Sequence, residues 1–186
     1  MKKFFSIAAM IICMSKVGYA QVSTGNAMGA AQQTVQLSLT TALDISFTNS
    51  NSANGSMVSL SFNDVNDYAN GVESGEQELR VRSNKNFKVG AKIDLSNFSY
   101  VGPGNVNPSQ SPANAVQLKV TSNNTGGSIV AGFVGYGSLN TSDKDIILNG
   151  VNGNDQKFKV KYKCNPGWAM PAGTYTFAIV YTATQQ

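Results

Sequence analysis

Apolar and polar residues alternate with a period of two along most of this 186-residue chain, and no long segment has the spacing of an amphipathic helix. The apolar members of the alternating runs are Val35, Leu37 and Leu39; Val58, Leu60 and Phe62; Leu79 and Val81; Phe87, Val89, Ala91 and Ile93; Val116, Leu118 and Val120; Phe158, Val160 and Tyr162; and Tyr175, Phe177, Ile179 and Tyr181. Successive side chains of a β-strand point to opposite faces, so each run predicts a strand with one buried face.

Clusters of Asn, Gly, Ser and Pro separate these runs, for example at residues 49–55, 102–112 and 149–155. These residue types favour turns because they reach positive φ, preset φ or hydrogen-bond their own backbone. Many short strands with regularly spaced turns predict an all-β fold, a single antiparallel β-sandwich of immunoglobulin-like or pilin-like topology. We assign residues 34–186 to this one domain.

The N-terminus has the three parts of an export signal. Two lysines follow the first residue, an apolar run extends from Phe4 to Met14, and Gly18 and Ala20 form a small-x-small cleavage site. This apolar run is too short to cross a bilayer, which takes about 20 residues. We therefore predict a signal peptide at residues 1–20, no transmembrane span, and a location in the periplasm, on the cell surface or outside the cell.

The charge balance argues against nucleic acid as a partner. The whole chain has 14 Lys and Arg against 10 Asp and Glu. Lys2, Lys3 and Lys16 leave with the signal peptide and no acidic residue does, so 11 basic residues remain against 10 acidic ones. Proteins that bind nucleic acid carry a basic surplus over the whole domain, which the exported chain lacks.

The chain contains no histidine, which excludes Ser-His-Asp catalysis, Cys-His catalysis and ordinary histidine-ligated zinc sites. Cys164 is the only cysteine after residue 20, so the exported chain cannot form an intramolecular disulfide. Its place on the apolar side of the alternation predicts a small buried side chain and not a nucleophile, which needs a partner that lowers its pKa. We predict no enzymatic activity, no cofactor and no metal site.

Acidic residues cluster around the start of the third run: Asp64, Asp67, Glu73, Glu76 and Glu78. An EF-hand loop that began at Asp64 would need an oxygen ligand at its fifth position and glutamate at its twelfth, but Tyr68 and Gly75 stand there. Glycoside hydrolysis needs two carboxylates at a fixed separation. That separation cannot be obtained from the sequence. We interpret the cluster as a polar loop with capped turns, and an irregular calcium site stays open as the alternative.

A row of lysines, which we call the lysine row, occupies every second position of one predicted strand: Lys157, Lys159, Lys161 and Lys163. Because alternate residues share a face, the four ammonium groups lie on the side opposite Phe158, Val160 and Tyr162. One interpretation is a solvated face, whose lysines also discourage edge-to-edge aggregation. The other is a binding surface for an anionic glycan of the cell wall or capsule.

Trp168 is the only tryptophan, and it lies in a predicted loop between two prolines. Its side chain could cap the end of the core or stack on a sugar ring. A sugar platform generally uses a second aromatic ring, and Tyr100, Phe133 and Tyr136 are the candidates that we consider.

The chain ends with the segment PAGTYTFAIVYTAT followed by two glutamines. This ending resembles the closing strand of bacterial pilin-type sandwiches, notably the spore-coat-U and archaic chaperone–usher pilin group, whose last strand often follows an AGTY-like turn. The resemblance implies that residues 173–184 form the final strand, which a periplasmic chaperone contacts. It also implies that residues 34–39, or the leader before them, are donated to a neighbouring subunit. Members often carry a disulfide, which this exported chain cannot form.

A second resemblance is to the WxL cell-surface domain, in whose motif leucine stands two residues after tryptophan. Here Trp168 is followed by Ala169 and Met170, and the second tryptophan motif of that domain is missing. This resemblance implies peptidoglycan binding.

The first functional hypothesis is an exported, non-enzymatic structural or adhesive subunit that works by strand pairing with like subunits. Residues 21–33 are rich in Gly, Ala and Gln and predict a flexible leader, but they hold few large apolar residues. Val35, Leu37 and Leu39 would therefore fill the pockets of the partner, with Tyr175, Phe177, Ile179 and Tyr181 as the pairing residues of the last strand. The alternative is a surface module that binds a glycan or peptidoglycan through Trp168 and the lysine row.

Overall fold

A computed structural model describes residues 33–49, 54–103, 111–168 and 170–186 of the chain. The predicted signal peptide and residues 21–32 of the predicted leader lie outside these ranges. Within them the structure has twelve strands: β1 (Leu43–Phe47), β2 (Val72–Glu73), β3 (Gln77–Ser83), β4 (Phe87–Ile93), β5 (Ser99–Val101), β6 (Val116–Asn124), β7 (Ser128–Ile129), β8 (Gly137–Ser138), β9 (Lys144–Gly150), β10 (Gly153–Cys164), β11 (Thr174–Thr176) and β12 (Ile179–Gln185). Its helices are α1 (Val65–Asn70), α2 (Pro112–Ala115) and a 3₁₀ turn (Ala131–Phe133).

The strands form two main sheets, and every strand pair is antiparallel. The first sheet has the order β1-β3-β10-β6-β8, and β2 also pairs with β10. The second has the order β12-β4-β9-β7, and β11 and β5 form a separate two-stranded sheet. All of these strands belong to one unit of the chain, Leu39–Gln186.

The core lies between the two main sheets. The first sheet contributes the inward members of β3, β6 and β10, and the second contributes those of β4 and β9. The largest fully buried side chains are Phe87, Phe158, Leu79, Ile93, Leu118, Ile146 and Ile147. The predicted all-β antiparallel sandwich is confirmed, and so are the buried faces predicted for β3, β4, β6 and β10.

Two of the predicted strands are wrong. Residues 33–42 and 55–63 have no assigned helix or strand, although Val35, Leu37 and Leu39 in the first and Val58, Leu60 and Phe62 in the second alternate as strands do. Val35, Leu37 and Leu39 are 83%, 78% and 79% exposed. Alternation matches the side-chain pattern of a strand, but a strand also needs a neighbouring backbone to pair with.

The predicted last strand is divided into β11 and β12. The break falls at Ala178, whose N–H donates to Asp94 Oδ1 (2.9 Å) while its carbonyl accepts from the Asp94 N–H (3.1 Å). The Asp94 carboxylate thus replaces one ladder bond, so β11 pairs with β5 and β12 pairs with β4.

The acidic cluster begins with a helix cap and not with a metal loop. Asp64 Oδ1 accepts from the N–H groups of Asn66 (2.7 Å) and Asp67 (3.0 Å), and Asp67 Oδ2 accepts from those of Asn63 (2.7 Å) and Asp64 (3.3 Å). This capping box starts α1, and Gly71, at φ 76°, ends it. The described ranges contain no helix long and apolar enough to cross a membrane.

Candidate functional site

A groove of about 810 Å³ opens beside the C-terminal strands. Residues 173–179 line it on one side and residues 54–62 on another, and Phe47, Tyr162 and Cys164 also face it. Much of this lining is apolar or aromatic. A surface of this kind can accept the alternate apolar side chains of an added strand.

The C-terminal side of the groove is held by packed rings. The ring of Phe98 makes edge contacts with Tyr175 (5.4 Å between centroids) and Phe177 (5.5 Å), and that of Phe47 contacts Tyr181 (6.0 Å). The face predicted for Tyr175, Phe177, Ile179 and Tyr181 is correct, since all four are half-buried while their neighbours in the chain are exposed.

Hydrogen bonds also hold the C-terminal side of the groove in place. The hydroxyls of Tyr181 and Tyr162 lie 2.8 Å apart. Burial, and then the neighbouring Tyr162 hydroxyl, raise the pKa of Tyr181 well above its ordinary value. At the end of β12, the Gln185 amide donates to Ala42 O (2.9 Å) and Ser83 Oγ (3.2 Å), which ties the two sheets together there.

The backbone edge of β12 faces away from its sheet. β4 pairs with one side of β12 over all seven residues, from Ile179 opposite Ile93 to Gln185 opposite Phe87. β12 is the terminal strand of the sheet order, so no described strand of that sheet pairs with its other side. An edge strand presents backbone N–H and C=O groups to which a further strand can bond.

Residues 56–62, which we call the strap, form one wall of the groove without forming a strand. Val58, Leu60 and Phe62 are half-buried, Met57 is 85% exposed, and the serines between them are exposed. Val58 packs on the main core, and Phe62 contacts the ring of Tyr68 (5.3 Å). The strap thus directs alternate apolar side chains inward.

Cys164 lines the groove and is half-buried beside a small second core. Burial raises the pKa of its thiol to about 11. At this pKa the thiol is protonated near neutral pH, and the side chain is half-buried where the sequence predicted a buried one.

The lysine row lies on the outer face of β10, as predicted, but β10 is a central strand and so has no edge to protect. Lys157 pairs with Asp155 (3.1 Å) and Lys159 with Glu76 (3.3 Å). The ammonium groups of Lys163 and of Lys119 on β6 each lie 5.9 Å from the Tyr136 ring. This is a mixed, solvated face in which neighbouring carboxylates and a ring already engage three of the four lysines.

Trp168 is 68% exposed and therefore does not cap the core. Its ring stacks on Tyr68 with centroids 5.5 Å apart and planes at 23°. Sequence analysis missed Tyr68 as the second ring because it lies on α1, far from Trp168 in the chain. Tyr100 instead packs on Tyr175, and Phe133 is buried in the core.

The described residues contain no cluster of three or more His, Cys, Asp and Glu side chains arranged to hold a metal ion. The chain matches no protein-family model and no curated protein.

Proposed function

We propose that this chain is an exported, non-enzymatic structural subunit that assembles by β-strand pairing. Residues 34–39, which we call the arm, are the donated segment, and the groove with the free edge of β12 is the acceptor in a second copy. The observation that carries the proposal is the match between an exposed arm of alternating apolar residues and an apolar groove that runs along residues 173–179 and ends at β12, the edge strand of the second sheet.

The arm is long enough to follow the C-terminal side of the groove. An extended strand rises about 3.3 Å per residue, so the arm from Val35 to Leu39 spans about 13 Å. Three arm side chains, Val35, Leu37 and Leu39, would then fall at successive pockets of the groove. Full burial of each contributes about 1.5–3 kcal/mol, and backbone bonds to β12 fix the register.

The resemblance of the C-terminal segment to pilin-type sandwiches supports the same proposal. That resemblance implies a periplasmic chaperone as a partner of the last strand and like subunits as further partners. The locations that fit are the periplasm, the cell surface and the extracellular space.

The test is the assembly state of the exported chain, by size-exclusion chromatography with light scattering and by negative-stain microscopy. We expect oligomers or fibres that disappear in a variant with V35S, L37S and L39S. The matched control carries Gln36→Ala and Ser38→Ala, which change the other face of the arm, and it should still assemble. A wild-type chain that stays monomeric at all concentrations contradicts the proposal.

One observation favours a second candidate function, a module that binds a surface glycan or peptidoglycan. The exposed Trp168 ring, supported from behind by Tyr68, is the kind of flat apolar surface on which a sugar ring stacks. Retention of the exported chain on insoluble glycan or peptidoglycan, lost in Trp168→Ala and kept in Lys161→Ala, would favour this function over strand pairing.

A further inference from the structure

The arm and the strap carry the same side-chain pattern. Residues 35–39 read VQLSL and residues 58–62 read VSLSF, so each has Val, Leu and a third large apolar residue at alternate positions with polar residues between. The apolar side chains of the arm are about four-fifths exposed, whereas those of the strap are half-buried.

The strap is held through its side chains. Among the described residues, no backbone hydrogen bond joins residues 57–61 to any strand. Ile179, the first residue of β12, lines the same groove, and β12 is bonded to β4 along its whole length. The strap therefore fills pockets as a strand would, but it lacks the backbone ladder that would hold it there.

The groove is open to solvent with the strap in place, with a volume of about 810 Å³. An extended segment that pairs with the β12 edge would gain backbone bonds that the strap does not make.

We infer that the strap is an internal mimic of the arm: it forms one wall of the acceptor groove in the free subunit, and the arm of a second copy displaces it. This inference rests on the proposed function and adds its regulation. Only a subunit whose strap has moved aside can bind an arm, so the apparent affinity falls in proportion to the fraction of such subunits. The strap therefore holds back premature assembly.

A peptide with the sequence of residues 33–41 tests the inference on the exported chain. The variant carries Val58→Ser and Leu60→Ser, which loosen the strap, and the matched control carries Ser59→Ala and Ser61→Ala. We expect the variant to bind the peptide about tenfold more tightly than wild type, because more of its grooves are open, and the control to bind as wild type does. Circular dichroism checks that each variant is folded.

Hydrogen exchange on the wild-type chain gives a second measurement that needs no variant. Displacement predicts that the amides of residues 57–62 exchange as fast or faster when the peptide binds, while those of β12 become protected. Protection of the strap amides, or equal affinity of the loosened variant and wild type, would overturn displacement and leave strand pairing intact. Absence of peptide binding to wild type and variant alike would instead contradict the proposed function.

Discussion

The C-terminal strands and the strap line the same groove, but they are held in different ways. β12 has seven residues paired with β4, and its one inward ring, Tyr181, packs against Phe47 and Phe158. The strap contributes alternate apolar side chains and, within the described chain, no ladder. The comparison teaches that one side of the groove belongs to a hydrogen-bonded sheet while the other is held through its side chains, which is the asymmetry that the proposed acceptor site needs.

The largest effect is expected on the fixed side, at Phe177. Phe177→Ala removes the edge contact with Phe98 and leaves a cavity next to the core. Fully buried phenylalanines cost about 3–5 kcal/mol when truncated, so this half-buried one should lower the free energy of unfolding by about 2–3 kcal/mol. Urea denaturation measures the loss. Thr182→Ala, on the exposed face of β12, is the control and should change stability by less than about 0.5 kcal/mol.

A smaller effect, dependent on pH, is expected at Tyr181. The folded state raises the pKa of Tyr181 above its unfolded value, so the unfolded chain releases this proton first as the pH rises. Stability from this group is therefore complete below about pH 10 and falls as the pH increases beyond it. Tyr181→Phe should lose about 1 kcal/mol at neutral pH, from the bond to Tyr162, and should show a shallower alkaline decline. The free energy of unfolding of wild type and of the variant, measured between pH 8 and 12, separates the hydrogen-bond loss from the pH effect. Identical slopes of stability against pH in the two proteins would refute the raised pKa of Tyr181.

The smallest effect is expected on the strap. Leu60→Ala should lower the free energy of unfolding by about 1 kcal/mol or less, because the side chain is half-buried on a segment without backbone bonds. Ser61→Ala is its control. A loss at Leu60 as large as that at Phe177 would mean that the strap is a fixed part of the fold and would remove the asymmetry.

Most of the sandwich could be predicted from the sequence because its central strands, such as β4 and β10, bury every second residue between two neighbours. The same alternation around Val35 and around Val58 predicted strands that do not form. The period of a segment indicates which side chains share a face, but it does not indicate whether a backbone partner is present. The break at Ala178 was also unpredictable, because it depends on the Asp94 carboxylate, which is distant in sequence.

The site could be predicted only in part. The inward faces of Tyr175 and Phe177 followed from periodicity. The Tyr68–Trp168 stack and the Lys159–Glu76 pair did not, because each joins segments that only the folded chain brings together. The lysine row shows the same limit. Its position on the outer face of β10 was predicted correctly, but a carboxylate that pairs with it, that of Glu76, comes from a distant part of the chain.

The most direct test of strand donation is a covalent link between the arm of one copy and the groove of another. Leu37→Cys introduces a thiol on the apolar face of the arm, and Thr176→Cys, in a chain whose half-buried Cys164 is changed to Ser, supplies an exposed one in the groove. Under an added oxidant, the account predicts disulfide-linked multimers that are absent when Thr176 is left unchanged and much weaker when Ser38→Cys, whose side chain points the other way, replaces Leu37→Cys. Equal cross-linking from positions 37 and 38 would contradict donation of the arm to a second copy. So would products that all have the mass of a single chain.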